Sequence, residues 1–83
     1  MRRGQLPLSD AFAQVVQKHR KQKRMSRAAL SEKAGLHQTY LGLLEREKRT
    51  PNLDTANAIA EALGGTLAEL IAEADKIRKR GRS

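Results

Sequence analysis

The sequence predicts an all-α fold in which five helices pack into one compact domain. Apolar residues recur every three or four positions, and no run alternates apolar with polar residues as a half-buried strand does. Cap and turn residues divide this pattern into five segments. The chain has 83 residues and no cysteine, so it lacks a disulfide framework, and a domain this small has little room for a deep catalytic cleft.

The first two helices are predicted from their caps and apolar stripes. The first runs from Ser9, its N-cap, to about Arg24. Its apolar stripe consists of Phe12, Val15, Val16 and His19. The second follows Ser26, another N-cap, and ends at Gly35, because glycine readily adopts the left-handed conformation that closes a helix. The small side chain of Ala29 is expected to let a neighbouring helix approach closely.

The third predicted helix is short. It starts after His37, a possible cap, and reaches Glu45 or Arg46. Leu41 and Leu44 face inward one turn apart. This helix therefore has a single apolar face that packs against the rest of the domain.

The last two helices carry the clearest start signals. Asn52 caps the fourth helix, which ends at Gly64 and Gly65. Its stripe consists of Leu53, Ala56, Ile59, Ala60 and Leu63. Thr66 and Glu69 have the spacing of a capping box and open the fifth helix. Its apolar residues are Leu67, Leu70, Ile71 and Ala74, joined by Ile77 if the helix continues.

Charge is distributed unevenly along the chain. Lys and Arg number 17 against 9 Asp and Glu, a net charge of +8. Residues 1–27 hold eight of the bases, residues 55–75 hold none, and residues 76–83 hold five. A basic arm, 1–8, and a basic tail, 76–83, thus flank a domain over 9–75, and both ends are expected to fray. Such ends are typical of proteins that bind an acidic polymer, although a merely solvated basic surface is the alternative.

The segment from Ser26 to Lys48 carries the functional signal. Two short helices joined by a short turn that contains Gly35 match the helix-turn-helix arrangement. In that arrangement the second helix lies in the major groove of DNA while the first crosses the backbone. Leu30 and Ala34 of the first helix are expected to pack on the leucines of the second.

Four segments and one arginine carry a resemblance to a known family. They are Arg20, SRAALSEKAGLHQTYL from Ser26, LLE from Leu43, TPNLDT from Thr50 and IAEALG from Ile59. On these residues the chain, over about 12–71, resembles the Cro and phage-repressor family of XRE-type helix-turn-helix regulators, which includes restriction-modification controller proteins. The resemblance implies a lambda-repressor-like domain that binds DNA through helices two and three.

The resemblance also assigns DNA contacts. The base-reading positions fall on His37, Gln38, Thr39 and Leu43. Gln38 can bond bidentately to adenine and Thr39 can bond a base or touch a thymine methyl, whereas Leu43 offers only apolar contact and could equally pack within the fold. The phosphate-binding positions fall on Arg27, Tyr40, Arg46, Lys48 and Arg49. Tyr40 suits packing as well, and the cations beyond the third helix could be solvated only.

Two further positions are expected to be structural. Arg20 and Glu45 match a pair that forms a partly buried ion pair between helices one and three in this family. Family members commonly have glycine two residues after that glutamate, where this chain has Glu47. We therefore expect the third helix to extend by as much as one turn, and the Glu47 carboxylate to repel phosphate.

The residues and the resemblance together predict a sequence-specific regulator that binds double-stranded DNA as a homodimer on an inverted repeat. The predicted dimer interface consists of Leu67, Leu70, Ile71, Ala74 and Ile77 on the fifth helix. Leu67 and Leu70 could equally be core residues only, so the dimer prediction depends on the other three. The alternative is an antitoxin-like module that binds a partner toxin and represses its own operon. Binding to RNA or to an anionic membrane ranks last, because the chain has only one Tyr and one Phe.

Catalysis is not expected. The only imidazoles are His19, expected at the core or its boundary, and His37. No cluster has the spacing of metal ligands, and no phosphate-binding loop or nucleophile elbow is present, so no enzyme, metal, cofactor or small-molecule ligand is predicted. No apolar run is long enough to cross a bilayer and the first residues lack a secretory signal, which predicts a soluble cytoplasmic protein.

Overall fold

A computed structural model describes residues 6–80, and across these residues the chain forms five helices and no strand. The helices are α1 (Leu8–Gln22), α2 (Arg27–Ala34), α3 (Gln38–Glu45), α4 (Leu53–Ala62) and α5 (Leu67–Arg80). The predicted all-α class is therefore confirmed. Within the described range no helix is both long and apolar enough to cross a membrane.

One hydrophobic core joins the five helices. α1 packs along α5, while α2 packs against α4 and α3. The largest side chains with no exposed surface are Val15, Val16, Leu30, Leu41, Leu44 and Ile59. Burial of each such side chain contributes about 1.5–3 kcal/mol to folding, so these residues carry much of the stability of so small a domain.

The helix caps predicted at Ser26, Asn52 and Thr66 are present. The Ser26 hydroxyl accepts a hydrogen bond from the Ala29 N–H at 3.0 Å, and the Asn52 side chain accepts one from the Thr55 N–H at 2.7 Å. Thr66 and Glu69 close a reciprocal capping box at 3.0 and 3.1 Å. These bonds satisfy backbone donors that a helix leaves unpaired at its start, which fixes where α2, α4 and α5 begin.

The predicted limits of the first helix were wrong at both ends. The helix begins at Leu8, because the extended Pro7 places its carbonyl to accept the N–H groups of Asp10 and Ala11, both at 3.1 Å. Ser9 therefore lies inside the first turn and is not the N-cap. The helix ends at Gln22, before Arg24, which adopts a left-handed conformation with φ of 57°.

The expected extension of the third helix was also wrong. α3 ends at Glu45, and Glu47 adopts the left-handed conformation, with φ of 64°, that glycine usually takes after a helix. The Lys48 N–H donates to the Leu43 carbonyl at 2.8 Å and closes the end of the helix. A non-glycine residue in this conformation costs about 1–2 kcal/mol, which the closing hydrogen bonds and the packing of α3 offset.

Two residues predicted to pack inside the fold are exposed. Ala29 is exposed, and the small residue buried in α2 is Ser31, because the buried face of α2 is centred on Leu30 and Ser31. Leu53 is 77% exposed, because it is the first residue of α4 and lies one turn before Ala56, the first residue of this helix that is buried in the core. Ser31 therefore occupies the place expected for Ala29.

The fifth helix extends beyond the predicted domain limit at residue 75. α5 continues to Arg80, where Asp75 pairs with Lys79 at 3.1 Å and lies 3.8 Å from Arg78. Pairs at these spacings stabilise a helix by a few tenths of a kcal/mol each, so residues 76–80 are helical where fraying was expected. Residues 1–5 of the predicted arm and 81–83 of the predicted tail lie outside the described residues.

Candidate nucleic-acid interface

The turn between α2 and α3 sets the angle of the two helices. Gly35 is left-handed, with φ of 73°, and the Leu36 N–H donates to the Ser31 carbonyl at 2.8 Å. Leu36 then packs against the core, which anchors the turn between the two helices. A left-handed residue is needed to close α2 in this way, so the glycine is required by backbone geometry.

α3 buries one face and presents the other. Leu41 and Leu44 have no exposed surface, whereas His37, Gln38 and Thr39 are exposed at the start of the helix. The three predicted base-reading residues at the N-terminal end of α3 therefore point away from the core. This is the end of a recognition helix that meets base edges in helix-turn-helix proteins.

Leu43 and Tyr40 occupy intermediate positions. Both are half-buried, and Tyr40 packs against the core. Tyr40 thus has the packing role that was the alternative to phosphate binding, and its remaining exposed surface lies beside the exposed Thr39 of α3. Leu43 retains apolar surface at the edge of the same helix.

Side chains from α2 and α3 share one shallow depression of about 320 Å³. It is lined by Arg27, Gln38, Thr39, Gly42 and Arg46. Two predicted base-reading residues and two predicted phosphate-binding residues therefore lie together, although they are as far as 19 positions apart in the chain, from Arg27 to Arg46. We refer to this depression and its lining residues as the α2–α3 surface.

A buried carboxylate joins the helices beneath the α2–α3 surface. Arg20 binds Glu45 bidentately, with Nε to Oε2 at 2.7 Å and Nη2 to Oε1 at 3.1 Å, and also donates to the Met25 carbonyl at 2.8 Å. The Glu45 side chain has no exposed surface. Removing one partner of such a pair leaves an uncompensated buried charge, which destabilises a fold by about 3–5 kcal/mol.

The same carboxylate binds Arg27, a contact that the sequence did not predict. Arg27 Nε donates to Glu45 Oε1 at 2.9 Å, while the Arg27 side chain remains 41% exposed. Glu45 therefore holds a partly exposed guanidinium at the edge of the α2–α3 surface. The sequence offered no signal for this contact, because Arg27 and Glu45 lie 18 positions apart and on different helices.

The remaining predicted phosphate-binding residues follow α3. Arg46, Lys48 and Arg49 are all exposed around the turn between α3 and α4. The exposed Glu47 lies among them, and its carboxylate accepts a weak hydrogen bond from Gln14 at 3.4 Å. This turn is therefore cationic overall, with one acid inside it.

The predicted dimer residues of α5 divide into two groups. Leu70 and Ala74 are buried in the core of the protomer, whereas Leu67, Ile71 and Ile77 are half-buried. Leu8, 38% exposed, and Leu53, 77% exposed, are the exposed large apolar residues of the described chain, and they lie beside Ile71 in one cleft of about 200 Å³. We call Leu8, Leu53, Leu67 and Ile71 the apolar surface. The apolar stripe of the fourth helix predicts Leu53 in the core, which is wrong, and gives no role to Leu8.

The boundary residue His19 links α1 to α5. Its Nε2 lies 2.7 Å from Glu73 Oε1, and Lys18 Nζ lies 3.6 Å from the other oxygen. Partial burial opposes ionisation of Glu73, but the hydrogen bond and charge of His19 and the charge of Lys18 outweigh it and lower the pKa of Glu73. Among residues 6–80 no group of three His, Cys, Asp or Glu side chains could hold a metal ion.

Together, the two short helices, the glycine turn and the exposed start of α3 define a helix-turn-helix domain. A helix-turn-helix family model matches residues 16–70, and the chain belongs to this Cro and C1-type family of DNA-binding transcriptional regulators. The family resemblance found in the sequence is thereby confirmed.

Similar proteins are named as regulators. The chain is 32% identical over 66 residues to control protein C.SmaI of Serratia marcescens, and the matched region covers 80% of this chain and 79% of that protein. It is 35% identical over 60 residues to the immunity repressor protein of Bacillus phage phi105, covering 72% of this chain. The chain spans only 42% of the length of that repressor.

Solved structures show the same fold. The restriction-modification controller protein C.AhdI of Aeromonas hydrophila is 31% identical, with a TM-score of 0.71 over 75% of this chain and 94% of that one. C.Esp1396I bound to a 19 base pair DNA duplex is 25% identical, with a TM-score of 0.76 over 83% of this chain and 92% of that one. The predicted five-helix, helix-turn-helix fold is thus shared with controller proteins.

Proposed function

We propose that the chain is a transcriptional regulator that binds double-stranded DNA sequence-specifically, as a homodimer, at an inverted-repeat operator. The observation that carries the proposal is the α2–α3 surface, where exposed Gln38 and Thr39 line one depression together with Arg27 and Arg46. Side chains that can pair with base edges, close to cations that can bind phosphate, are what a recognition helix needs in the major groove.

Each side chain of the surface has a role that its chemistry supports. Gln38 can donate to N7 or accept from N6 of adenine through its amide, and Thr39 can bond a base edge or contact a thymine methyl. His37 precedes them at the exposed N-terminus of α3, and Leu43 offers apolar contact one turn later. Discrimination between sequences should rest mainly on Gln38 and Thr39, because they combine exposure with groups that base edges can pair.

Cations around the surface would set affinity and register. Arg27, held by Glu45 at 2.9 Å, and the exposed Arg46, Lys48 and Arg49 suit contacts to phosphate, and Tyr40 can add a hydroxyl. Phosphate contacts carry no sequence information, but each one adds to the dependence of binding on salt. The Arg20–Glu45 pair supports this arrangement from within the fold.

A second copy of the chain supplies the rest of the site. One recognition helix covers only a few base pairs, so a dimer that places two α3 helices about 34 Å apart doubles the contacts on one side of the duplex. We propose that the copies meet through the apolar surface together with Ile77, with Leu70 and Ala74 supporting it from the core. Leu8, Leu53 and Ile71 line one cleft, and adjoining exposed apolar side chains of this kind are typical of a surface that a partner covers.

The names of similar proteins favour this function. Control protein and immunity repressor are names of regulators, and C.Esp1396I has been solved on a DNA duplex. For this chain we propose the same action without catalysis, cofactor or small-molecule ligand, in the cytoplasm with the DNA that it regulates.

Selection from a pool of randomised duplexes at about 150 mM salt tests the proposal. The expected result is enrichment of an inverted repeat whose half-sites lie about one helical turn apart, which reports base reading and pairing of two copies together. A variant with Gln38→Ala and Thr39→Ala is the control and should lose the enrichment while it still binds DNA at low salt. Absence of enrichment with the wild-type chain would contradict the proposal and favour the antitoxin-like alternative, in which a partner protein is the main target.

A further inference from the structure

Nothing inside the described chain requires a glycine at position 42. Gly42 lies in the interior of α3, and it is not among the glycines with positive φ. A Cβ added there would meet no atom within 4 Å. Since glycine destabilises a helix interior relative to alanine, the fold would gain from the larger residue.

Gly42 is one of the residues that line the α2–α3 surface. It is four residues after Gln38, on the same face of α3, and four before Arg46, which caps the end of the helix. With Thr39 and Arg27 these residues line the shallow depression of about 320 Å³. The space that a side chain would fill is therefore the space in front of the proposed base-reading residues.

We propose that Gly42 is a close-approach position, at which the missing side chain lets the backbone of α3 lie against base edges on the floor of the major groove. The inference rests on the proposed function, since it assigns a role within the same DNA-binding surface. Glycine is found where a ligand must approach the backbone closely. A Cβ at this point would be the first atom to meet the bases and would hold α3 away from them.

The consequence for Gln38 is geometric. A hydrogen bond from its amide to a base has an optimal length near 2.9 Å and weakens steeply as the two groups separate. With a methyl group at position 42, the bases would contact Cβ and not Cα. The distance between α3 and the bases would then increase by on the order of 1 Å. The bonds of Gln38 and Thr39 to bases would lengthen, while flexible arginine side chains would still reach phosphate.

Stability and specific binding should therefore change in opposite directions in Gly42→Ala. Thermal unfolding of the full chain should shift upward by about 4–8 °C, the shift expected when one glycine in a helix interior becomes alanine in a domain of this size. Affinity for the selected operator should fall at least about tenfold, and affinity for a random duplex should change less than about twofold. Gly42→Val should lose more of the operator preference, because its side chain is larger.

Arg24→Gly is the control for stabilisation alone. It relieves the left-handed φ of 57° at the end of α1, outside the depression, so it should raise stability without changing the ratio of operator to random affinity. An unchanged ratio in both Gly42 variants, or an equal loss on both duplexes, would overturn the inference while the proposed function stands. A wild-type chain that prefers no sequence would overturn the proposed function, and the inference with it.

Discussion

The α2–α3 surface and the apolar surface are built on opposite principles. The first is polar and exposed, and beneath it lies a carboxylate with no exposed surface that binds two arginines. The second is made of leucines and an isoleucine that the protomer covers only in part, above a core of Leu70 and Ala74. Reading bases requires polar groups held in fixed positions, whereas pairing of two copies requires apolar surface that becomes buried away from water.

The two surfaces should be sensitive to different kinds of substitution. The α2–α3 surface depends on a few directional bonds, since Glu45 fixes both Arg20 and Arg27. The apolar surface depends on area and tolerates changes of shape better than the introduction of charge. Substitutions at the α2–α3 surface should therefore affect folding and base discrimination, whereas substitutions at the apolar surface should affect assembly of two copies.

Loss of the buried carboxylate is expected to have the largest effect. Glu45→Ala leaves Arg20 buried without its partner and should lower the free energy of unfolding by about 3–5 kcal/mol, measured by chemical denaturation. Glu47→Ala, which removes an exposed carboxylate two residues away, should cost less than about 0.5 kcal/mol. Replacing Arg20 and Glu45 together with methionine should recover most of the loss, and a cost below about 1 kcal/mol for Glu45→Ala alone would show that the pair does not organise the fold.

A charge on the apolar surface should act on assembly. Leu53→Asp alters a residue that is 77% exposed at the first position of α4, where an acid is favourable, so the protomer should remain folded. Sedimentation equilibrium should show monomer at concentrations where the wild-type chain is expected to be a dimer, and operator affinity should fall at least about tenfold, or 1.4 kcal/mol. Gln22→Asp places the same acid at the exposed far end of α1 and should leave the dimer intact. A Leu53→Asp chain that is still dimeric at tens of micromolar would exclude this surface as the interface.

The smallest expected effect is at the turn after α3. Glu47→Gly replaces a residue with φ of 64° by one that adopts this conformation freely, and should raise the free energy of unfolding by about 0.5–1 kcal/mol. Loss of the carboxylate should also strengthen binding to operator and random duplexes alike, because phosphate is repelled less. Arg24→Gly should match the gain in stability but not the gain in affinity, and a Glu47→Gly chain less stable than wild type would contradict the glycine-like role of this position.

Local features of the fold could be predicted from the sequence. The caps at Ser26 and Asn52 and the capping box at Thr66 depend on residues within three positions of one another, and all three form as expected. Two helix limits were not predicted. The N-cap of α1 is Pro7 and not Ser9, and α3 ends with Glu47 in a left-handed conformation that glycine usually takes. The conformation of these turns is set by tertiary packing, which residue propensities do not contain.

Burial and long-range contacts were harder to predict. Periodicity places Leu53 on an apolar stripe but does not show that the buried part of α4 begins only one turn later, at Ala56. In the candidate site, the exposed start of α3 was expected from the family resemblance, whereas the bond from Arg27 to Glu45 joins residues 18 positions apart and emerged only from the structure. The open space around Gly42 could not be predicted either, because the sequence does not show which atoms surround a position that lacks a side chain.

The affinities of Gln38→Ala and Arg27→Ala for operator and random duplexes, measured across a salt series, test base reading by α3 most directly. Gln38→Ala should lose about 1–3 kcal/mol on the operator, relax the preference at one base pair and leave random binding unchanged. Arg27→Ala should weaken both duplexes alike and reduce the slope of log affinity against log salt by about one. If Gln38→Ala instead weakened both duplexes equally, α3 would not read bases through Gln38, and sequence-specific recognition by this surface would be contradicted.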